Sequence, residues 1–174
     1  MARSKQTNDA IALLKADHRQ VEKLFEQFEN AVDDEQRQDL ATSICNALKV
    51  HTVIEEEIFY PAFLEASDDI DIHHEAEIEH NAAKNLIAGI EACTPDDEYF
   101  APTVKVLSEM IKHHVKEEEK PGGMFSVARE TKMDLLALGE ELATRKAELE
   151  GSELTEAGMP PPGDGGKRGQ VDRP

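Results

Sequence analysis

Four stretches of this chain carry apolar residues at helical spacing, and each stripe holds titratable side chains where an apolar residue belongs. The first predicted helix, from about Asn8 to Ala31, steps through Ile11, Leu14, Val21, Phe25 and Phe28, with His18 filling the gap. A second, from about Glu35 to Ala66, runs through Ile44, Leu48, Ile58 and Ala62, and His51 and Glu55 complete it. The third, Asp71 to Ala92, places His80 among Ala76, Ala83, Ile87 and Ile90. The fourth, Asp97 to Lys120, continues from Val104, Leu107 and Ile111 into His114 and Glu118. Burying even one ionised group without a partner costs several kcal/mol in order of magnitude. A fold that turns these stripes inward must therefore bring the six polar groups to each other or to a compensating charge.

Residues four apart share a helix face, so His51 with Glu55 and His114 with Glu118 each set an imidazole beside a carboxylate. A single His-x-x-x-Glu is usually a solvated neighbour pair; the repetition carries the weight. His18 and His80 are 62 residues apart, His51 and His114 are 63 apart, and so are Glu55 and Glu118. The neighbourhoods agree too: Asp17-His18 with Glu79-His80, and Glu55-Glu56-Glu57 with Glu117-Glu118-Glu119. Two such units related by a pseudo-two-fold axis predict an antiparallel up-down four-helix bundle with a dinuclear metal site at its centre. Imidazole with carboxylate suits iron first, with manganese or zinc possible, whereas calcium and magnesium prefer all-oxygen shells. A mononuclear zinc site stays open. Six side chains cannot saturate two six-coordinate ions, so positions remain for a small exogenous ligand.

The remaining sequence bounds the reading. The 174 residues suit one domain, assigned to 1–150. A net charge of −18 opposes nucleic-acid binding. No apolar run approaches the roughly 18 residues of a membrane span, and no signal-peptide pattern opens the chain, so a cytoplasmic location is expected. Any protein partner is unspecified. Cys45 and Cys93 lack metal or redox spacing and read as small buried residues. Pro61 should loosen the end of the second helix. A fifth helix from Met124 to Leu149 is expected after Pro121-Gly122-Gly123, with Leu135, Leu138 and Leu142 as its docking stripe. Residues 151–174 are rich in Gly and Pro and are expected to be a disordered tail.

The H-HxxxE-H-HxxxE arrangement resembles that of the hemerythrin-like, HHE cation-binding family, in its bacterial single-domain form, over about Asn8 to Leu149. The resemblance implies a non-haem di-iron centre, bridged by carboxylate, held by His18, His51 and Glu55 from one repeat and His80, His114 and Glu118 from the other. It further implies a ligand such as oxygen, nitric oxide or peroxide. The chain departs from oxygen-carrying hemerythrins at the third helix, where those proteins place two histidines four apart and this one has Ala76 four before His80. Glu77, three before His80, is a possible additional ligand, a hydrogen-bond acceptor for a ligand imidazole, or a solvated acid. Three functions fit: a binding protein that captures a diatomic or peroxide ligand or senses iron, an enzyme consuming peroxide or nitric oxide, and a metal-dependent interaction module. Ile54, Ile58, Ala83 and Ile111 are expected to keep the pocket dry. His73, His74, His113 and Glu22 read as surface groups, and Tyr60 as a core residue with its hydroxyl at the edge.

Overall fold

The computed structural model describes residues 9–67 and 69–152, all helix and connection with no strand among them. Helices α1 (Ala10–Glu29) and α2 (Asp34–Ile54) form one antiparallel pair, and α4 (Ile70–Glu91) and α5 (Phe100–Glu119) the other. The second rod continues past α2 through one π-helical turn, Glu55–Phe59, into α3 (Tyr60–Ser67). Four helices start on an aspartate whose carboxylate accepts a backbone N–H three residues on: Asp9 from Ala12 at 2.8 Å, Asp33 from Gln36 at 2.8 Å, Asp69 from Ile72 at 3.4 Å and Asp134 from Ala137 at 3.0 Å. The fourth rod begins three residues later than Asp97, because Asp97 instead accepts the N–H groups of Tyr99 and Phe100 in a turn.

The π turn corrects the expected stripe. Pro61 has no N–H to offer and its ring crowds the carbonyl four residues back; just before it, the Tyr60 N–H reaches the Glu55 carbonyl, a five-residue step. The extra residue rotates everything after Glu55. Phe59, Tyr60 and Phe63 are buried, and Ile58 and Ala62, expected inward, are only half-buried.

The expected fifth helix is two helices, α6 (Met124–Glu130) and α7 (Leu135–Gly151). Residues 131–134 break it: the Thr131 N–H and hydroxyl both return to the Ala128 carbonyl, and Asp134 caps the new start. The α7 helix docks on α1 and α2 through Leu142 and Leu149, with Leu135 and Leu138 half-buried. The tail expected at 151–174 lies, from residue 153 onward, outside the described residues. No described helix is long and apolar enough to cross a membrane.

Two apolar clusters fill the bundle. One joins Phe25, Phe28, Ile44, Ile87, Phe100 and Leu107. The other joins Ile11, Leu14, Ile54, Phe63, Phe125 and Leu142. The six polar stripe residues lie where the two sets meet along the rods, His18 between Leu14 and Val21 and His80 between Ala76 and Ala83, and form a layer that divides the core.

Candidate metal centre

All six predicted ligands reach this one layer, and none is more than 5% exposed. His18 comes from α1, His51 from α2, Glu55 from the first residue of the π turn, His80 from α4, and His114 and Glu118 from α5. His18 Nε2 lies 3.1 Å from His51 Nε2, and His80 Nε2 lies 3.3 Å from His114 Nε2. The glutamates link these two imidazole pairs. Glu55 Oε2 is 3.3 Å from both His51 Nε2 and His80 Nε2, and Glu118 Oε2 is 3.4 Å from His18 Nε2 and 3.6 Å from His114 Nε2. Each carboxylate therefore faces one histidine of each repeat. Donor atoms of His18, His51 and Glu55 lie within 4.8 Å of one another, as do those of Glu55, His80 and His114, giving two adjoining positions that share Glu55.

The far side of each imidazole decides what occupies the near side. Three Nδ1–H groups donate to carboxylates: His18 to Glu119 at 2.9 Å, His80 to Glu56 at 3.1 Å and His114 to Glu79 at 2.7 Å. His51 Nδ1 faces Asp17 at 3.5 Å, a charge contact without a formed hydrogen bond. A nitrogen facing a carboxylate carries the proton, so in each neutral ring Nε2 keeps its lone pair. Four lone pairs then converge in two close pairs, beside two glutamates of which Glu55 Oε1 and Glu118 Oε2 have no hydrogen-bond partner. Cations satisfy that arrangement and neutral protein groups do not, so metal cations fit these residues.

The sequence matches the family described as Hemerythrin HHE cation binding domain over residues 9–121. The chain belongs to that family. A curated relative from Nostoc sp., named as a DNA nickase, is 27% identical over 118 residues, covering 66% of this chain but 32% of the relative. The chain thus spans about a third of that protein's length. A solved structure described as a hemerythrin HHE cation-binding domain-containing protein from Mycobacterium kansasii superposes with a TM-score of 0.73 at 24% identity, over 86% of this chain and 91% of that one. It shares the fold.

Set beside the HHE pattern, the structure adds what spacing alone left out. The four outer carboxylates obey the repeat themselves: Asp17 and Glu79 are 62 residues apart, Glu56 and Glu119 are 63 apart. Each neighbours one ligand in sequence but reaches a histidine on a different rod. The matched dipeptides Asp17-His18 and Glu79-His80 were the available signal, although adjacency on a helix points two side chains about 100° apart and hides the partner. Three of these acids are held by permanent cations: Asp17 by Lys146, Glu56 by Lys84 at 2.7 Å and Glu119 by Arg19. Glu79 instead meets exposed His113 at 3.4 Å.

Tyr60 is the larger departure. Its hydroxyl is 3.1 Å from His80 Nε2, 3.2 Å from Glu118 Oε1 and 3.3 Å from Glu55 Oε2, so it belongs to the site rather than to its edge. The π turn put it there, five residues past Glu55. Burial, and then the charges of Glu55 and Glu118, push the phenol well above its ordinary range and keep it protonated in the metal-free protein. Glu77 goes the other way: it is exposed and gathers with His73 and His74 on the surface of α4, apart from the six. Glu22 pairs with Arg19 at 3.2 Å. The pocket wall retains Ala83 and Ile111 as expected, whereas Ile54 sits in the second core cluster and Ile58 has turned away.

Proposed function

We propose that this chain holds two iron ions with His18, His51, Glu55, His80, His114 and Glu118, and uses them to bind a diatomic molecule or peroxide. The observation that carries the reading is the convergence of four imidazole lone pairs, fixed by outer carboxylates, on two shared glutamates. Mixed nitrogen and oxygen donors favour iron over the alkaline-earth ions.

Bound iron supplies a redox-active Lewis acid with coordination positions left for an outside ligand. The chain's own residues set what arrives there. Beside the four histidines lies a cavity of about 20 Å³, walled by Val21, Leu48, Ala83, Ile111 and Val115. That volume holds about one water molecule. It selects for a small ligand and excludes an organic substrate, and its apolar wall keeps bulk water away.

A second reading, an enzyme that consumes peroxide or nitric oxide, is favoured by one feature. Tyr60 holds a proton at its hydroxyl within 3.3 Å of three ligand side chains, where a bound small molecule could accept it. The nicking activity named for the Nostoc relative is not extended to this chain, because most of that protein lies outside the match and a net charge of −18 repels a phosphate backbone.

Elemental analysis of aerobically purified protein, with its visible spectrum before and after oxygen, nitric oxide or peroxide, tests both. About two irons per chain with a reversible spectral change supports the binding protein; sustained consumption supports the enzyme. Absence of iron at this level, with all six side chains intact, overturns the proposal.

A further inference from the structure

The two halves of the site are closed differently. In the first, Tyr60 stands five residues past Glu55 and its side chain covers the ligands. In the second, the residue five past Glu118 is the buried Gly123, and the chain turns through it to bring Met124 and Phe125 into the core, with Phe125 stacked on His18 at 5.7 Å between ring centroids. A Cβ on Gly123 would sit 2.1 Å from the Glu117 carbonyl oxygen and 2.8 Å from that of Glu118. The turn, with Gly122 in the left-handed region at φ +78°, is pressed against the end of α5 and admits only glycine at 123.

Beside this turn, between α4 and α5, lies a cavity of about 120 Å³. His114 and Glu118 line it from the buried side, and Glu75, Glu79, Glu117 and Lys120 complete its polar wall. Glu75 and Lys120 are exposed and Glu79 and Glu117 half-buried, so the wall runs from solvent to the ligands. Independently of this acidity, Glu118 is 3% exposed and its Oε2 has no hydrogen-bond partner. The Lys120 ammonium pairs with Glu117 and lies in the field of Glu75, so a cation already stands at the mouth.

We propose that this acidic cavity is the route by which divalent metal cations reach the buried centre, with Glu75 and Glu117 drawing in the hydrated ion and Lys120 marking its first position. The inference rests on the reading that the six residues hold metal. A dication crossing the apolar clusters would be stripped of water with nothing in exchange, and the cavity of about 20 Å³, although Asp17, Thr52 and Glu79 also line it, is too small for a hydrated ion. In the acidic cavity carboxylate oxygens replace water stepwise, and negative charge at the entrance raises the local cation concentration. A neutral diatomic has no such need, so ion and small ligand take different doors.

The test is the rate at which the full-length, metal-free chain takes up cobalt(II), followed by its absorption after rapid mixing at low salt. Glu75→Lys should slow uptake by about 10-fold, and Lys120→Gln should speed it several-fold. Glu98→Lys makes the same charge change before α5, at the end remote from the ligands, and should leave the rate near native. Final cobalt content should be equal in all four proteins. Extraction of cobalt from the loaded chain by a chelator should slow and speed in parallel, because an ion leaves by the path it enters; this arm serves if a metal-free variant folds poorly. Equal slowing by Glu75→Lys and Glu98→Lys, or no change from either, overturns the route. Failure of the ligand assignment looks different: the native chain would take up no cobalt, or His114→Ala would leave the final content unchanged.

Discussion

The first repeat closes its half of the centre with a tyrosine and a π turn, whereas the second ends on a straight helix and a pair of glycines. Their ligands nevertheless superimpose in pattern: lone histidine, then His-x-x-x-Glu, each imidazole backed by an acid from another rod. What is shared is what the proposed pair of cations needs, namely fixed tautomers and carboxylates that face both repeats. What differs is a proton-bearing cover, Tyr60, on one side and the acidic cavity proposed as the metal route on the other. Symmetry of the ligands thus coexists with asymmetry of access, and the two are separable by substitution.

The largest expected effects fall on the shared groups. Because Glu55 and Glu118 each face a histidine of both repeats, Glu55→Ala and Glu118→Ala should each remove metal from both positions, while His51→Ala or His114→Ala should leave part of it. Elemental analysis distinguishes the cases. A glutamate variant that keeps half its metal would mean that the repeats bind independently. Next come the outer acids. Glu79→Gln and Glu119→Gln preserve shape but weaken the hold on His114 and His18, and each should lower metal affinity by about 10–100-fold, measured by chelator competition. Similar losses in the two variants are expected of a repeat; a loss confined to one would show that only that half is pre-organised.

Tyr60→Phe should act more gently, because metal content survives the loss of a hydroxyl. In the metal-free protein it strips Glu55 and Glu118 of a buried donor at 3.2–3.3 Å, which costs about 1–3 kcal/mol by denaturant unfolding. In the loaded protein it should alter the visible spectrum while the ligand set is intact. An unchanged spectrum together with unchanged stability would return Tyr60 to the packing role its sequence suggests.

The bundle and its six inward groups were legible because helix periodicity and the repeat at 62 and 63 residues are both written in the chain. The π turn was not. Pro61 announced a disturbance, but whether a freed helix bends after the proline or widens before it depends on what the next side chains can bury, and Phe59, Tyr60 and Phe63 settle that only in three dimensions. For the same reason Tyr60 read as core. Glu77 failed as a ligand because a step of three turns it away from the face that His80 presents inward. The outer acids went unassigned for a related reason: neighbours on a helix point about 100° apart, and the histidines these acids reach lie across a rod interface. The split of the last helix at Thr131 was hidden because apolar residues keep nearly helical spacing across it, Met124 and Ala128 before and Leu135, Leu138 and Leu142 after.

The smallest effect, and the finest probe of the two halves, is in protons. Burial works against charge on His51, yet Glu55 and Asp17 outweigh it and push the imidazole up to about 10. Burial, reinforced by Glu55, pushes the Glu118 carboxyl up to about 8. Burial and the charge on His51 bring His18 down to about 4. At pH 7 the metal-free centre therefore holds protons on His51 and Glu118 and none on His18, while His80, against the effect of burial, is also raised by its hydrogen bonds to Glu55 and Glu56. Ligation requires both groups to be deprotonated, so loading with zinc in weak buffer at pH 7 should release protons from both halves, read with a pH indicator. The sign for stability follows. Folded-state values raised above the ordinary 6.5 for His51 and 4.5 for Glu118 give the metal-free fold stability that is complete below those values and lost as pH rises. His18, brought down to about 4, gives an opposing slope only while its unfolded imidazole still titrates near the ordinary 6.5, and the combined loss from His51 and Glu118 exceeds it. Between about pH 6.5 and 10 the metal-free protein should lose stability while the loaded protein, whose ligated groups do not titrate there, holds level. Parallel melting curves for the two forms across that window would mean that the centre holds no such protons, and that ligand asymmetry between the halves is absent from its chemistry.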